Sequence, residues 1–357
     1  MSTIFGMAKL SASDYQFANQ ADQQLLYGAV KDYLAMANQD RLDAFSMFVS
    51  GQTEIFKERV QLPMDGFMQK RAKGTRVDQV KRKGSYDVAY PIDDFSDSLG
   101  ATDVDFAYMV PAEFQAHVDG IMTRAANSYR FEVLRAIFKN TNRTFVDERH
   151  GSLTCVPLAN TDGTIYPPLP GATAGADNES YFESGYTTAN VTDANNPIKT
   201  MTDELISRFG RRTGGLPIGI TINTAERSAL EALTDFVPYT PSAITPGADT
   251  DRIGNPGGIP GEIIGYMNSA WISVWDWMPA TYMVGTYLGA EAPLIERNDP
   301  AGTGLAGGLR LVSTGDVWPL MYQNWQWRFG VATRNRLNGV VMEVAAGGGY
   351  TIPTIYQ

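Results

Sequence analysis

The longest run of helical periodicity in this 357-residue chain constrains its fold more than any other feature. It begins at Pro111, a residue type favoured in the first helical turn, and continues to about Asn140. Apolar residues recur there at every third or fourth position: Phe114, Val118, Ile121, Met122, Ala125, Tyr129, Val133 and Ile137. This stripe predicts an amphipathic helix of roughly 45 Å. Because 35 Gly and 19 Pro argue against an all-helical bundle, we expect a sheet to pack on the stripe, in an α+β fold.

Two short strands precede this helix and predict a long β-hairpin. Residues 54–60 and 86–92 contain alternating segments, and a polar, glycine-containing tip joins them. The tip has almost no apolar residues to bury, so such a projection needs another surface to lie on. Before the hairpin, residues 14–50 show apolar residues at helical spacing, which predicts helix in two pieces.

Helices and strands alternate from about residue 198, which predicts a compact α/β subdomain. A capped amphipathic helix over 196–210 leads into the buried strand 216–223, and a second helix begins with Thr224 as its predicted N-cap. Near the end of the chain, large apolar side chains alternate with polar or small ones. This half-buried strand has one strongly aromatic face, formed by Trp325, Trp327, Phe329 and Val331.

The composition excludes several classes of protein. The single cysteine, Cys155, cannot form an intrachain disulfide, so the fold is built for a reducing compartment or needs no bridges. The first residues lack the basic opening and apolar core of a signal peptide, and no apolar run approaches a membrane span. A formal net charge of −10 argues against nucleic-acid binding by the chain as a whole.

The hairpin tip departs sharply from this acidic balance. Residues 69–84, here called the basic segment, contain one acidic residue, Asp78, and seven basic ones: Lys70, Arg71, Lys73, Arg76, Lys81, Arg82 and Lys83. Nucleic-acid binding is one interpretation, although the segment holds no aromatic residue for base stacking. A solvated hairpin tip is the second. The third is contact with the acidic body of another copy, which repeats around a ring and closes into an oligomer.

Candidate chemical sites are few. His150 and Cys155, with Asp147 and Glu148 nearby, suggest a thiol nucleophile or a metal site, but no second nitrogen or sulfur ligand lies close in sequence. The G-x-G-x-x-G match at 302–307 lacks the strand before it, the helix after it and the later acid of a dinucleotide site. The sequence DTDRIG at 249–254 lacks the later ligands of a calcium loop. We therefore expect no catalytic residues, no metal and no cofactor.

The order of these parts resembles the major capsid protein family of tailed bacteriophages. Four stretches resemble that family's axial-domain and closing strands: ITINTAERSALEALTDF, PGEIIGYMNSAWISV, MPATYMVGTYLGA and WQWRFGVATRNRLNGVVME. The resemblance covers about residues 50–350 and implies the phage major-capsid-protein fold, shared with encapsulins and the herpesvirus capsid floor. The implied parts are an N-terminal arm (1–50), an extended loop or E-loop (51–105), a peripheral domain (106–197 with 318–357, spine helix about 111–140) and an inserted axial domain (198–317).

The resemblance also implies a function: copies of the chain assemble as pentamers and hexamers into an icosahedral shell around the double-stranded DNA of a tailed phage. It implies a portal, a separate scaffolding protein and a decoration protein as partners, with no membrane partner and no sequence-specific DNA contact. The location would be the virion, after assembly in the bacterial host cytoplasm. Two alternatives stay open: the shell of an encapsulin-type compartment, and an acidic cytosolic enzyme that uses the His150 and Cys155 region.

Overall fold

A computed structural model describes residues 45–61, 73, 85–102, 111–165, 177–210, 218–239, 258–305, 308–317 and 320–357. Three α-helices lie within these residues: α1 (Pro111–Phe138), α2 (Pro197–Phe209) and α3 (Thr224–Glu231). The strands within them are β1 (Val49–Thr53), β2 (Lys57–Gln61), β3 (Ser85–Ala89), β4 (Asp93–Thr102), β5 (Arg143–Asp147), β6 (Gly151–Cys155), β7 (Asn160–Ile165), β8 (Asp177–Glu179), β9 (Tyr181–Glu183), β10 (Ile218–Ile222), β11 (Val237–Pro238), β12 (Glu262–Met267), β13 (Ala270–Val274), β14 (Tyr282–Tyr287), β15 (Leu294–Asn298), β16 (Arg310–Val317), β17 (Leu320–Thr333) and β18 (Val340–Glu343).

The chain divides into two compact units. Among the described residues, the first unit takes Ile92–Phe131 and Asn298–Phe329. The second takes most of Leu42–Pro91 and Glu132–Arg297, together with Gly330–Gln357. The long helix α1 begins in the first unit and ends in the second.

The first unit packs the beginning of α1 against an antiparallel sheet. Strand β17 pairs with β16 on one side and with β4 on the other. The apolar stripe of α1 meets the aromatic face of β17: Val118 and Ile121 cluster with Trp325, and the Tyr129 ring stacks on Trp327 with 5.6 Å between centroids. The predicted helix and its sheet are therefore confirmed, because both partners present apolar residues at their own periodicity.

The second unit is built around a seven-stranded sheet in the order β11-β12-β13-β10-β14-β18-β9. Its central strand, β10, runs parallel to β13 and antiparallel to β14, and all five of its residues are buried. Helix α2 covers this sheet with Met201 and Leu205. The approach is close at Gly285, where a Cβ atom would lie 3.1 Å from the Met201 Cε atom. The predicted alternation of helices and strands therefore forms one layered core.

Two local predictions are wrong. The N-cap of α3 is Asn223, because its side-chain oxygen accepts a hydrogen bond from the Ala225 N–H at 2.9 Å, whereas the Thr224 hydroxyl donates to Asp276. The helical periodicity predicted to continue to residue 50 ends earlier, since Val49–Thr53 is a strand that pairs in parallel with β15. The apolar residues just before and at its start, Phe45, Met47, Phe48 and Val49, are all buried, and spacing alone does not separate helix from strand in a buried segment. The remaining part of that prediction, residues 14–44, lies outside the described residues.

Candidate functional site: the hairpin and its base

The described residues contain the base of the predicted hairpin. Strands β2 and β3 pair antiparallel, with Lys57 opposite Ala89 and Gln61 opposite Ser85, which confirms the two strands. We call this pair the hairpin base. Of the seven cations in the basic segment, Lys73 is described and is exposed. The other six, Lys70, Arg71, Arg76, Lys81, Arg82 and Lys83, lie outside the described residues.

One side of the hairpin base is anchored by apolar packing. Val88 and Tyr90 are fully buried and cluster with Cys155, Ile295 and Ala332. Because side chains of a strand alternate between two faces, Tyr86 follows the same side and packs on this cluster. The cluster holds the hairpin base to the rest of the second unit, and it is too small to form a core of its own.

A set of polar contacts beside this apolar cluster fixes the orientation of the hairpin base. The Arg334 guanidinium bonds Glu58 at 3.1 Å and Glu291 at 2.6 Å, and the Tyr90 hydroxyl donates to Glu58 at 2.9 Å. Burial alone would raise the pKa of the Glu58 carboxyl, but the hydrogen bonds from Arg334 and Tyr90 outweigh it and lower the pKa. Burial and the same carboxylate raise the pKa of Tyr90. We call Glu58, Arg334, Glu291 and the Tyr90 hydroxyl the clamp.

A second polar contact lies where the chain leaves β3. Arg297 donates to the Tyr90 carbonyl oxygen at 2.8 Å and to the Asp147 carboxylate at 2.7 Å. Asp147 also accepts from the backbone N–H groups of Arg149 and His150, at 3.0 and 2.9 Å. Burial raises the pKa of Asp147, and these donors together bring it below its ordinary value. Asp147 is therefore a structural residue that tethers the chain after the hairpin.

The outer face of the hairpin base pairs two cations with one carboxylate. Asp87 accepts from Arg59 at 2.6 Å and from Lys57 at 3.0 Å, and these bonds lower its pKa, with Arg59 contributing most. The cations at the base thus have a carboxylate on their own strand pair. The basic segment has one acidic residue among seven cations, so the unbalanced charge of the hairpin belongs to its tip.

Comparison with solved structures identifies the fold. A structure from Mycobacterium phage Patience matches with a TM-score of 0.67 at 18% identity, over 95% of this chain and 93% of its own. The mature capsid of bacteriophage PhiM1 matches with a TM-score of 0.52 at 12% identity, over 85% of this chain and 87% of its own. The capsid of cyanophage P-SCSP1u matches with a TM-score of 0.50 at 10% identity, over 85% and 88%. No protein-family model and no curated protein matches this chain.

The chain has the phage major-capsid-protein fold. The expected fold class is confirmed, with its hairpin, long helix and α/β layer in the expected order. Within the described residues, the apolar cluster and the clamp hold the hairpin base to the rest of its unit.

The capsid-protein fold does not bring His150 and Cys155 together. Cys155 is buried under Val88 and Tyr90, while the His150 ring stacks on Phe56 with 3.6 Å between centroids. His150 directly precedes the extended strand β6 and Cys155 is its last residue, and the strand is about 13 Å long at the usual rise. Among the described residues, no group of His, Cys, Asp and Glu side chains is placed to hold a metal ion. No described helix is long and apolar enough to cross a membrane.

The glycine-rich match at 302–307 lacks the helix of a dinucleotide site, although the expectation that no strand precedes it is wrong, because strand β15 ends at Asn298. A short 3-10 turn, Ala301–Thr303, precedes Gly304, and the next regular element is strand β16 rather than a helix. A phosphate-binding loop needs the N-terminus of a helix at that point. The DTDRIG sequence at 249–254 lies outside the described residues.

Proposed function

We propose that this chain is the major capsid (head) protein of a tailed phage, a structural protein and not an enzyme. On this proposal it assembles as pentamers and hexamers into an icosahedral shell that encloses double-stranded DNA in the virion. The supporting observation is a capsid-protein fold that extends over 85% of the chain in the PhiM1 and P-SCSP1u matches. The hairpin base adds to it, because clustered apolar residues and the clamp hold a hairpin whose tip carries unbalanced charge.

We assign the parts of the capsid-protein fold to ranges of the chain. Residues 1–50 form the N-terminal arm and 51–105 the extended loop. The peripheral domain combines 106–197 with 318–357, and the axial domain at 198–317 faces the centre of each capsomer. A portal and a separate scaffolding protein take part in assembly, which occurs in the bacterial host cytoplasm, and a decoration protein is an optional addition to the shell.

Negative-stain microscopy tests the assembly. The purified chain, alone and co-expressed with a scaffolding protein, is expected to form hexamers, pentamers or closed shells. A 39.1 kDa monomer under every condition would contradict the proposal. Proteomics of purified shells then separates a phage head from an enzyme-filled compartment, because portal and tail proteins accompany the first and a packaged enzyme the second.

We further propose that the basic segment lies on an acidic surface of a neighbouring subunit. The seven cations are those of the basic segment. Charge attraction between unlike surfaces speeds the encounter of two subunits and fixes their register more than it raises their affinity. Because exposed charges are screened by salt, the contact should weaken as ionic strength rises.

A charge-reversed pair tests this contact. Lys73→Glu with Lys81→Glu is expected to reduce assembly at low salt while the monomer keeps its circular-dichroism spectrum and melting temperature. The matched control is Arg149→Glu with Lys199→Glu, which changes the net charge equally at two exposed positions elsewhere. Normal assembly of the first variant at both low and high salt would overturn the role of the basic segment.

A further inference from the structure

A cavity lies between α1 and the antiparallel sheet of the first unit. It has a volume of about 180 Å³, and we call it the aromatic cavity. Its walls include Phe95, Asp97, Ile121, Arg124, Trp325 and Trp327. Protein interiors are normally packed to the density of organic crystals, so an opening of this size beside two tryptophans is unusual.

The residues around the aromatic cavity range from buried to exposed. Ile121, Trp325 and Trp327 are buried, and only 1% of the Trp325 surface is exposed. Ser96 and Arg124 also line the cavity and are exposed, with 74% of the Arg124 side chain in contact with solvent. A small molecule can therefore enter past Arg124 and reach the tryptophan rings.

The Trp325 indole carries a hydrogen-bond donor that no described residue uses. Its Nε1 atom is buried, and no acceptor among the described residues lies within hydrogen-bond distance of it. A buried donor without a partner costs free energy, so buried donors in proteins are nearly always paired. Because an indole N–H donates and cannot accept, the partner that fits this site is an acceptor atom such as an oxygen.

The charges of the cavity wall already neutralise each other. Asp97 accepts from Arg124 at 2.8 Å, and these two are the ionisable side chains among the described residues that line the cavity. The Ser128 hydroxyl, also in the wall, donates to the Arg124 carbonyl oxygen at 3.0 Å. Since a charged group loses its hydration on burial, a wall of this kind favours a neutral ligand.

The size of the aromatic cavity and its rings favour a single aromatic ring as the ligand. An engineered apolar cavity of about 150 Å³ binds benzene, so about 180 Å³ has room for such a ring with one small polar substituent. Phe95, Trp325 and Trp327 supply aromatic side chains to the wall. Aromatic pairs gain free energy beyond the area that they bury, which favours an aromatic ligand over an aliphatic one of the same size.

We propose that the aromatic cavity is a binding site for a small neutral aromatic molecule, such as a phenol, whose oxygen accepts from the Trp325 indole N–H. Helix α1 and strands β4 and β17 of one subunit form the site. The ligand therefore binds the unassembled chain, and the inference goes beyond the proposed function without resting on it. A molecule bound between α1 and the sheet stabilises the folded subunit by mass action.

Indole N–H signals in NMR spectra of the full, unassembled chain test the site, with phenol and toluene as probes. The chain has six tryptophans, so Trp325→Phe identifies the Trp325 signal by its loss. Phenol is expected to shift that signal downfield in a saturable titration. It should bind about 2- to 10-fold more tightly than toluene, which has nearly the same shape and no oxygen, because one net hydrogen bond separates the two probes.

Two pairs of variants locate the binding. In Trp325→Phe, phenol should lose its advantage over toluene, whereas Trp271→Phe, which removes a buried tryptophan of the second unit, should keep it. Ala125→Phe places a ring in the aromatic cavity and should weaken the binding of both probes at least tenfold. Its matched control is Ala189→Phe at an exposed position of the second unit, which should bind both probes like the wild type.

Several results would overturn the inference. They are the absence of saturable phenol binding, equal affinity of the wild type for phenol and toluene, and a preference for phenol that persists in Trp325→Phe. A water molecule as the only partner of the Trp325 N–H would also overturn it. If Ala125→Phe fails to fold, the comparison of Trp325→Phe with Trp271→Phe still decides. Because none of these measurements follows assembly, each of these results leaves the proposed function standing.

Discussion

The seven-stranded sheet and the hairpin base belong to the same compact unit, but different forces hold them. The sheet surrounds strand β10, whose five residues are all buried, with the apolar faces of α2 and α3. The hairpin base has a small apolar cluster and a clamp whose central ion pair is partly exposed, with side-chain exposures of 33% for Arg334 and 32% for Glu58. Apolar burial contributes free energy in proportion to area, whereas exposed ion pairs contribute little and act through geometry. The sheet therefore secures the fold, and the clamp directs the hairpin.

The largest expected effect is in the sheet. Ile220→Ala removes a fully buried side chain from the central strand, so it should lower the free energy of unfolding by about 2–5 kcal/mol. Chemical denaturation followed by circular dichroism measures this loss. Ile55→Ala is the matched control, because Ile55 is 52% exposed, and should shift the denaturation midpoint little. Equal losses in the two variants would refute the assignment of the fold's stability to the sheet.

At the clamp, we expect a smaller loss of folding stability than in the sheet, together with a larger loss of assembly. Arg334→Met keeps the apolar length of the side chain but removes the cation that bridges Glu58 and Glu291. Because the pairs are partly exposed, the free energy of unfolding should fall by about 1 kcal/mol or less. The yield of shells, counted by microscopy, should fall severalfold because the hairpin loses its direction. An unchanged yield would show that the apolar cluster alone orients the hairpin.

The two regions should respond to pH in opposite directions. Glu58 has a lowered pKa, so its contribution to stability is present above the unfolded value and is lost as pH falls through the folded pKa. Glu226, buried under the first turn of α3, has a pKa raised by burial, although the Thr281 N–H donates to it at 2.7 Å. Its contribution is present below the unfolded value and is lost as pH rises through the folded pKa.

Glutamine variants measured across pH check these signs. The stability deficit of Glu58→Gln relative to the wild type should shrink on acidification below pH 4.5, the ordinary value for this carboxyl. Glu226→Gln should gain stability relative to the wild type as the pH rises from that value to neutrality. Parallel profiles for the two variants would show that the clamp and the sheet do not differ electrostatically.

The sequence predicts the parts of this molecule that depend on periodicity. The stripe along α1 and the aromatic alternation in β17 predict two elements that the structure packs together, because each presents one apolar face. The clamp could not be predicted. Glu58 and Arg334 are 276 positions apart, and nothing in either local pattern indicates that topology brings them to 3.1 Å. Proximity in sequence groups Asp147 with His150 as candidate chemistry, yet the Asp147 carboxylate accepts from Arg297 and from backbone N–H groups, including that of His150.

The smallest effect is expected on the outer face of the hairpin base. Asp87→Asn removes the carboxylate shared by Lys57 and Arg59, but all three side chains are in contact with solvent and are screened by salt. The free energy of unfolding should change less than in Arg334→Met, and the difference should vanish in high salt. Assembly should persist, because the clamp and the apolar cluster still direct the hairpin. Asp87→Asn and Arg334→Met each remove an ion partner of residues on β2. A larger defect in Asp87→Asn would therefore shift the directing role from the clamp to the charges on the outer face.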